Sequence, residues 1–351
     1  MSFYDGTKIL SMQDINGKKP ELYFITSNRS VGKTTFFSRL LVNRFIKYKE
    51  EFALMYRYKY ELKDVENKFF ADIKNLFFPE YNMISDPIDS GTIRKLILIK
   101  GDDETTARTC GYAISLNSAE NVKKHSHLLH NVKRILFDEF QSETNHYCPD
   151  EMSKFMSIHF SLARGGGESV RYLPVILVSN PVSLINPYYT ALKIPGRLQE
   201  NTKFLRGDGF VLEQNHNEDI AKEQSESGFN RAFAGSKYLN YSIYSDYLND
   251  SHAFIEKPTG KSRYICTIKD SEREYCIREY PDDGIIYCGL EVDRTFPVKL
   301  SLTTESHGVN FVMIKNNPVI IANLRFYFER GCFRFKDLNC KEVITTLIGY
   351  R

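Results

Sequence analysis

The fold of this chain is decided by one stretch near its N-terminus, Ser27-Asn28-Arg29-Ser30-Val31-Gly32-Lys33-Thr34-Thr35. An apolar run, residues 22–25, precedes the stretch, and an amphipathic run, residues 36–42, follows it. This order predicts a strand, a phosphate-binding loop and a helix, whose backbone N–H groups and dipole surround the phosphates of a nucleotide. Lys33 would reach the β- and γ-phosphates, and the Thr34 hydroxyl would bind Mg²⁺. Ser27 stands where the motif usually has glycine, so the loop is expected to turn with a Cβ there.

Two further apolar runs end in polar residues that suit the same chemistry. Residues 134–137 lead to Asp138, which would hold Mg²⁺, and to Glu139, which would orient and deprotonate the attacking water. Residues 175–178 lead to Asn180, which would sense the γ-phosphate or hold the water. Because the carboxyl ends of parallel strands meet at one edge of a sheet, these side chains should converge on the ligand. Taken singly, each run could also be a strand that ends in solvated polar residues.

The composition limits the class of protein. A chain of 351 residues favours two domains, each with a sizeable core. The net charge is only +3, from 47 basic and 44 acidic residues, so any contact with nucleic acid must come from local patches. The seven cysteines contain no C-x-x-C pair, and no apolar run is long enough for a membrane span. We therefore expect a soluble intracellular protein without a membrane partner.

The predicted organisation has three parts. Residues 1–207 form an α/β P-loop NTPase domain with a mainly parallel sheet, and residues 208–247 form a linker. The linker is inferred from the polar, acidic segment 215–236, which is partly helical by pattern. Alternating apolar runs with two helical segments predict a small, mostly antiparallel α+β domain at residues 248–351.

Several short segments occur in the same order as in a known family. They are Asn43-Arg44-Phe45-Ile46-Lys47-Tyr48, Arg57-Tyr58-Lys59-Tyr60-Glu61-Leu62, Phe137-Asp138-Glu139-Phe140, Ser179-Asn180-Pro181-Val182-Ser183, Asn186-Pro187-Tyr188 and Phe254-Ile255-Glu256-Lys257. In these segments the chain resembles the DNA-packaging motor ATPases of small short-tailed phages that prime replication with a terminal protein. The resemblance is dense in the first two hundred residues and sparse in the predicted C-terminal domain.

The resemblance implies a ring-forming ATPase of the additional-strand, catalytic-glutamate class, with ATP and Mg²⁺ as cofactors. The ring, a pentamer in this family, docks transiently at the portal vertex of an empty procapsid in the host cytoplasm and moves double-stranded DNA inward. DNA and the portal are therefore the implied partners, with a packaging RNA and the genome terminal protein as further candidates. The C-terminal domain would have an RNase H-like fold that has lost its nuclease residues.

The resemblance also implies roles for single residues. Lys33 matches the phosphate-loop lysine, and Asp138 and Glu139 match the acidic pair. Arg164 matches the arginine that one subunit inserts into the ATP site of its neighbour, and Lys59 matches a second basic residue at that interface. Each has a simpler interpretation: Arg164 could stabilise a helix end that three glycines close, and Lys59 could be a solvated charge.

The sequence allows two interpretations for each of three basic residues. Arg29 could contact phosphate or pair with an acid. Lys123 and Lys124 lie in a polar segment between predicted strands, where a ring ATPase presents residues to its pore. They are candidates for contact with DNA, mainly with phosphates, because a motor must pass any sequence. They could also be ordinary surface lysines.

Other NTPase classes are less consistent with the sequence. A monomeric switch NTPase would carry the guanine motif Asn-Lys-x-Asp, which is absent. Another ring-forming translocase or helicase remains an alternative. So does a terminase with an active nuclease, which would need three converging carboxylates, and Glu256, Asp270, Asp283 and Asp293 are the available acids.

Overall fold

The computed structural model describes residues 4–144, 146–164, 170–195, 197–198, 202–244, 254–270 and 273–348. The chain divides into two compact units, Met1–Asn249 and Asp250–Arg351. In the described part of the chain, no helix has the length and apolar character needed to cross a membrane.

The first unit contains a nine-stranded mixed sheet. Its strands are β1 (Leu22–Ser27), β2 (Glu51–Tyr56), β3 (Tyr81–Ile88), β4 (Ile93–Lys100), β5 (Asp103–Ser115), β6 (Val132–Asp138), β7 (Val175–Ser179), β8 (Phe204–Arg206) and β9 (Phe210–Asn215). Its helices are α1 (Thr7–Ser11), α2 (Lys33–Tyr48), α3 (Val65–Phe77), α4 (Ala119–Lys124), α5 (Glu151–Leu162), α6 (Pro187–Ala191), α7 (Glu218–Ser225), α8 (Gly228–Ala232) and α9 (Lys237–Tyr244).

The strand order of this sheet brings the two predicted motifs together. The order is β3-β4-β5-β2-β6-β7-β1-β9-β8. Within it, the six neighbouring strands β5, β2, β6, β7, β1 and β9 run parallel. The strand that leads to the phosphate loop, β1, is separated from the acidic strand, β6, by one additional strand, β7. Since all three are parallel, their carboxyl ends lie at the same edge of the sheet.

Side chains from the sheet form two hydrophobic clusters, one on each face. Alternate residues of a strand enter different clusters: Phe24 packs with α5 and α6, whereas Tyr23 and Ile25 pack with α2 and α3. The central strands are therefore buried on both sides, which explains their continuous apolar sequences. Helix α2 contributes its apolar stripe of Phe37, Leu41, Val42 and Phe45.

The linker predicted at residues 208–247 is wrong for its first part. Residues 210–215 form β9, which pairs with β1 along its whole length, and Phe210, Val211 and Leu212 are buried. The rest of the segment contains α7, α8 and α9, which bury side chains such as Ile220 and Tyr241. The polar residues that suggested a linker lie on the outer faces of these short helices. The first unit therefore extends well beyond residue 207.

The described residues of the second unit form a six-stranded sheet and two α-helices. The elements are β10 (Arg263–Asp270), β11 (Arg273–Tyr280), β12 (Ile285–Gly289), β13 (Lys299–Ser301), β14 (Val312–Met313), α10 (Pro318–Glu329), β15 (Phe333–Phe335) and α11 (Leu338–Ile348). The strand order is β14-β13-β10-β11-β12-β15. The pairs β10–β11 and β11–β12 are antiparallel, but β13, β14 and β15 each run parallel to their partners. The sheet is thus mixed, whereas we predicted a mostly antiparallel one. The strands that run parallel are too short to give an alternating apolar pattern in the sequence, so the prediction missed them.

Candidate nucleotide site

The phosphate loop connects the end of β1 to the start of α2. Its turn uses left-handed backbone at Ser30 (φ 63°) and at Gly32 (φ 90°), the residue that caps the N-terminus of α2. Glycine adopts this conformation without a steric cost. Ser27 instead remains in the strand and pairs with Asn215 of β9. The loop therefore does not turn at Ser27.

Lys33 lies inside the loop, where it is only 6% exposed. Its ammonium donates hydrogen bonds to the carbonyl oxygens of Ser27 and Asn28, at 3.0 and 3.1 Å, and to the Ser27 hydroxyl at 2.7 Å. The pKa of Lys33 is lowered to about 7, mainly by burial and to a smaller extent by Arg29, while Asp138 opposes the shift. A desolvated ammonium without a carboxylate in direct contact is suited to an anionic partner, such as the phosphates of a nucleotide.

Asp138 and Thr34 contact each other at the mouth of the loop. The Asp138 carboxylate accepts a hydrogen bond from the Thr34 hydroxyl and another from the Glu139 backbone N–H at 3.0 Å. Burial raises the pKa of Asp138, although both hydrogen bonds and Lys33 favour the ionised form. Adjacent hydroxyl and carboxylate oxygens are the ligands that Mg²⁺ prefers beside a nucleotide, so this pair fits the predicted metal.

Glu139 follows directly and has an unusual backbone. Its φ is 54°, a left-handed conformation that costs a residue with a Cβ roughly 1–3 kcal/mol. The residue is exposed, yet partial desolvation of its carboxyl raises its pKa, and the carboxylates of Asp138, Glu143 and Glu61 add to the rise. A raised pKa makes a carboxylate a better proton acceptor, which is the property required of a general base.

A cavity of about 300 Å³ joins these groups. It is lined by Arg29, Ser30, Val31, Gly32, Lys33, Thr34, Thr35, Asp138, Glu139, Ser179 and Asn180. The Asn180 side chain accepts a hydrogen bond from the Lys33 ammonium at 3.3 Å and also hydrogen-bonds the Tyr241 hydroxyl. The ends of β1, β6 and β7 thus converge on one cavity, as the parallel order predicts.

The segment predicted as a linker also contacts the phosphate loop. Asn28 and Asn217 exchange two hydrogen bonds: the Asn28 amide donates to the Asn217 carbonyl at 3.3 Å, and the Asn217 N–H donates to the Asn28 side chain at 3.1 Å. The Arg29 N–H donates to the carbonyl of Ser242 in α9 at 3.0 Å. The segment that follows β9 therefore forms part of the wall behind the loop.

The Arg29 side chain pairs with an acid, which was one of its two predicted roles. Its guanidinium forms an ion pair with Glu143 and lies over the rings of Tyr238 and Tyr241, 5.5 and 5.7 Å from their centroids. The Tyr241 hydroxyl donates to the same Glu143 carboxylate at 2.7 Å. Tyrosine and glutamate residues so far apart in sequence gave no pattern from which this network could be predicted.

Arg164 lies outside the cavity, at the end of α5. It is exposed, and it forms no hydrogen bond or ion pair with any described residue. The last carbonyls of the helix are satisfied by Arg171, whose guanidinium donates to the Leu162 carbonyl at 2.6 Å and whose N–H donates to the Ala163 carbonyl at 2.9 Å. The structure thus assigns the helix-capping contacts to Arg171. The glycines at 165–167, predicted to close the helix, lie outside the described residues.

The other predicted basic residues are also outside the cavity. Lys59 is exposed on a 3₁₀ turn, Lys59–Leu62. Lys123 and Lys124 lie on α4, where Lys123 pairs with Glu120 at 2.7 Å and Lys124 is exposed. The polar segment predicted to be a loop is thus partly helical. The roles of these lysines at an interface or on DNA remain predictions.

Comparison with protein families agrees with this geometry. Residues 1–350 match the family described as podovirus DNA encapsidation protein (Gp16). The chain belongs to this family. The DNA packaging proteins of Bacillus phages PZA and phi29 are each 28% identical to it over 340 residues, which cover 95% of this chain and 93% of the relative.

Solved structures show the same fold. A chain of the bacteriophage phi29 viral genome packaging motor assembly superposes with a TM-score of 0.71 at 23% identity, covering 100% of this chain and 99% of that chain. A chain of the phi28 gp11 DNA packaging motor gives a TM-score of 0.62 at 14% identity, covering 99% and 97%. These two chains therefore share the fold of this protein over nearly their whole length.

Proposed function

We propose that this protein is an ATPase that drives double-stranded viral DNA into an empty procapsid. The observation that carries the proposal is the convergence of Lys33, Thr34, Asp138 and Glu139 on one cavity. A protein that only bound a nucleotide would not need Glu139 beside the metal ligands. Membership of the DNA encapsidation family favours packaging over another kind of translocase or helicase.

Each residue of the cavity would have a separate role in phosphoryl transfer. Lys33 would bind the β- and γ-phosphates, and Thr34 and Asp138 would hold Mg²⁺, which offsets the charge of the phosphate oxygens. Glu139 would orient the attacking water and accept its proton. Asn180, which contacts Lys33, would sense the γ-phosphate or hold the water. Ser27 holds the lysine side chain from the other side.

We further propose that the active form is a ring, a pentamer as the family resemblance implies, in which Arg164 enters the ATP site of the next subunit. Two observations support this role: the side chain is exposed, and Arg171 already caps its helix. Met156 and Phe160, on the helix that leads to Arg164, are 45% and 60% exposed. An arginine supplied in trans accelerates other NTPases by roughly 10³–10⁵. Lys59 would act at the same interface.

For the second unit we propose an RNase H-like fold without nuclease activity. The run β12-β11-β10-β13-β14, with three antiparallel strands followed by two parallel ones, supports this fold. Two of the candidate acids are engaged elsewhere, since Glu256 pairs with Arg334 and Asp293 accepts hydrogen bonds from Thr295. Metal-dependent cleavage of DNA by the full chain, abolished by Asp270→Asn, would contradict the proposal.

The motor would dock on the portal of the procapsid in the host cytoplasm. Double-stranded DNA and the portal are the proposed partners, with a packaging RNA and the terminal protein as further candidates. Lys123 and Lys124 are the proposed contacts to DNA phosphates.

Mixing two inactive variants tests the ring and the arginine together. Arg164→Ala subunits should bind ATP but hydrolyse it slowly, and Lys33→Ala subunits should bind it poorly. A mixture should regain DNA-stimulated hydrolysis, because a Lys33→Ala subunit still offers Arg164 to an intact neighbouring cavity. The rate of phosphate release is measured while light scattering confirms that mixed rings form.

The matched control replaces the partner with the double variant Lys33→Ala/Arg164→Ala, which offers no arginine. Rescue by the single variant but not by the double variant supports action in trans. If mixed rings form and the rate equals the sum of the separate variants, Arg164 acts only within its own subunit.

A further inference from the structure

Arg57, the residue that follows β2, has no role in the function described so far. Although it follows the end of a strand, Arg57 is only 6% exposed. Its guanidinium lies over the rings of Phe137 and Tyr147, at 5.5 and 5.0 Å from their centroids. A buried arginine is retained in a protein core only when its N–H groups all find partners.

The partners of Arg57 are the main chain of the catalytic turn and one buried acid. Nη1 donates to the Glu139 carbonyl at 3.3 Å, and Nη2 donates to the Phe140 carbonyl at 2.6 Å. Nε donates to both carboxylate oxygens of Glu151, at 3.0 and 3.2 Å. One planar group thus connects two successive carbonyls of the turn to the first residue of α5.

The turn needs such support because its backbone is strained. Glu139 has a left-handed φ of 54°. The main chain of the turn also donates from the Glu139 N–H to the Asp138 carboxylate at 3.0 Å and from the Phe140 N–H to the carbonyl of Val178 in β7 at 3.3 Å. The conformation of Glu139 decides the direction of its carboxylate, because the side chain leaves the backbone at this residue. A relaxed φ would turn the carboxylate away from the water it must align.

The Glu151 side chain is itself held in place by burial and by further hydrogen bonds. It is 4% exposed, and its carboxylate also accepts hydrogen bonds from the Tyr188 hydroxyl at 2.7 Å and from the Cys148 N–H at 2.8 Å. Burial alone would lower the pKa of Arg57, but the Glu151 carboxylate outweighs it and the pKa is raised. The Arg57 guanidinium therefore pairs with a buried carboxylate whose position is fixed by other hydrogen bonds.

We propose that Arg57 is a positioning residue for ATP hydrolysis, which fixes the main chain at Glu139 and Phe140 and thereby aims the Glu139 carboxylate. The inference rests on the proposed role of Glu139 and adds a residue that does not line the nucleotide cavity. Lysine cannot replace the group, because a single ammonium cannot contact two carbonyls and a carboxylate in one plane.

The test measures kcat for ATP and the dissociation constant of ATP in Arg57→Lys. We expect kcat to fall by about 10–100-fold, as expected when a catalytic group is misplaced by about 1 Å, while the dissociation constant changes by less than about threefold. Arg44→Lys is the matched control, because Arg44 makes a similar two-point pair with Glu50 at 2.6 Å far from the cavity. Its kcat should stay within about twofold of the unchanged protein.

A second variant separates positioning from stability. Arg57→Met alone leaves Glu151 buried and unpaired, which destabilises a fold, but Arg57→Met/Glu151→Gln removes both charges. The double variant should regain most of the thermal stability and still show the low kcat, since the two carbonyls of the turn remain without a donor.

A kcat near that of the unchanged protein in both Arg57→Lys and the double variant would overturn the proposal, as would equal losses of kcat and ATP affinity. Failure of both variants to fold would assign Arg57 to stability alone and overturn it as well. Absence of ATP hydrolysis by the unchanged protein would overturn the proposed function, and hydrolysis by Glu139→Gln would overturn only the role of Glu139, so both are distinguishable from failure of the Arg57 proposal.

Discussion

The two sides of the nucleotide cavity reach their shapes by different means. The phosphate loop is built from consecutive residues: Ser30 and Gly32 make the turn, and the first turn of α2 supplies the N–H groups. The acidic turn, residues 138–141, depends instead on Arg57 and Glu151, which come from other elements of the fold. The turn of the loop is thus made by its own residues, although Asn217 and Ser242 also contact it, whereas the acidic turn is held by side chains from distant parts of the chain.

This difference predicts different responses to mutation. On the loop side, a change should affect the ligand contact of the altered residue and leave the rest of the site intact. On the acidic side, a change at a distance should reduce catalysis without touching the ligand. Substitutions in the two regions should therefore separate ATP binding from ATP turnover.

The largest effect is expected for Glu139→Gln. The amide keeps the size of the side chain but cannot accept the proton of the attacking water, so turnover should fall by at least about 10³-fold while ATP and Mg²⁺ still bind. Phosphate release measures turnover, and calorimetric titration measures binding. Glu80→Gln, an exposed acid outside the cavity lining, is the control. Hydrolysis near the normal rate in Glu139→Gln would remove this residue from the mechanism.

The loop side should show the opposite pattern in Lys33→Met. Affinity for ATP should fall by about 10–100-fold, because hydrogen bonds to charged groups contribute about 1.5–3 kcal/mol each. The free energy of unfolding without nucleotide should change by less than about 1 kcal/mol, since removal of a desolvated ammonium offsets the lost contacts. Urea denaturation without nucleotide measures this free energy of unfolding. A loss above about 2 kcal/mol would mean that the lysine mainly supports the fold.

The sequence predicted those parts of the fold that are buried on both faces. β1, β6 and β7 have continuous apolar sequences, and their order gave the parallel edge where the ligand residues meet. It did not predict β3, an edge strand in which Asp86 and Pro87 are exposed and Met83 alone is buried. It also missed β9, whose six residues adjoin a polar segment.

The same distinction applies to the site. Lys33, Thr34, Asp138 and Glu139 follow directly from local motifs, and the structure brings them together. The contacts between Asn28 and Asn217 join residues 189 positions apart, and those between Arg57 and Glu151 join residues 94 positions apart. A single sequence holds no trace of such pairs, because the polarity of each residue is equally compatible with exposure to solvent.

The smallest effect is expected at Ser27, where the chain departs from the usual motif. In Ser27→Gly the hydroxyl that contacts the Lys33 ammonium at 2.7 Å is lost, and glycine weakens the strand by about 0.5–1 kcal/mol. A neutral partner contributes about 0.5–1.5 kcal/mol, so ATP affinity should fall by no more than about tenfold, with kcat nearly unchanged. Titration with ATP and steady-state kinetics check both values. If the loop needed glycine for the phosphates to approach, the substitution would instead raise ATP affinity. A rise above about tenfold would therefore show that Ser27 limits the loop, and that its geometry is not set by Ser30 and Gly32 alone.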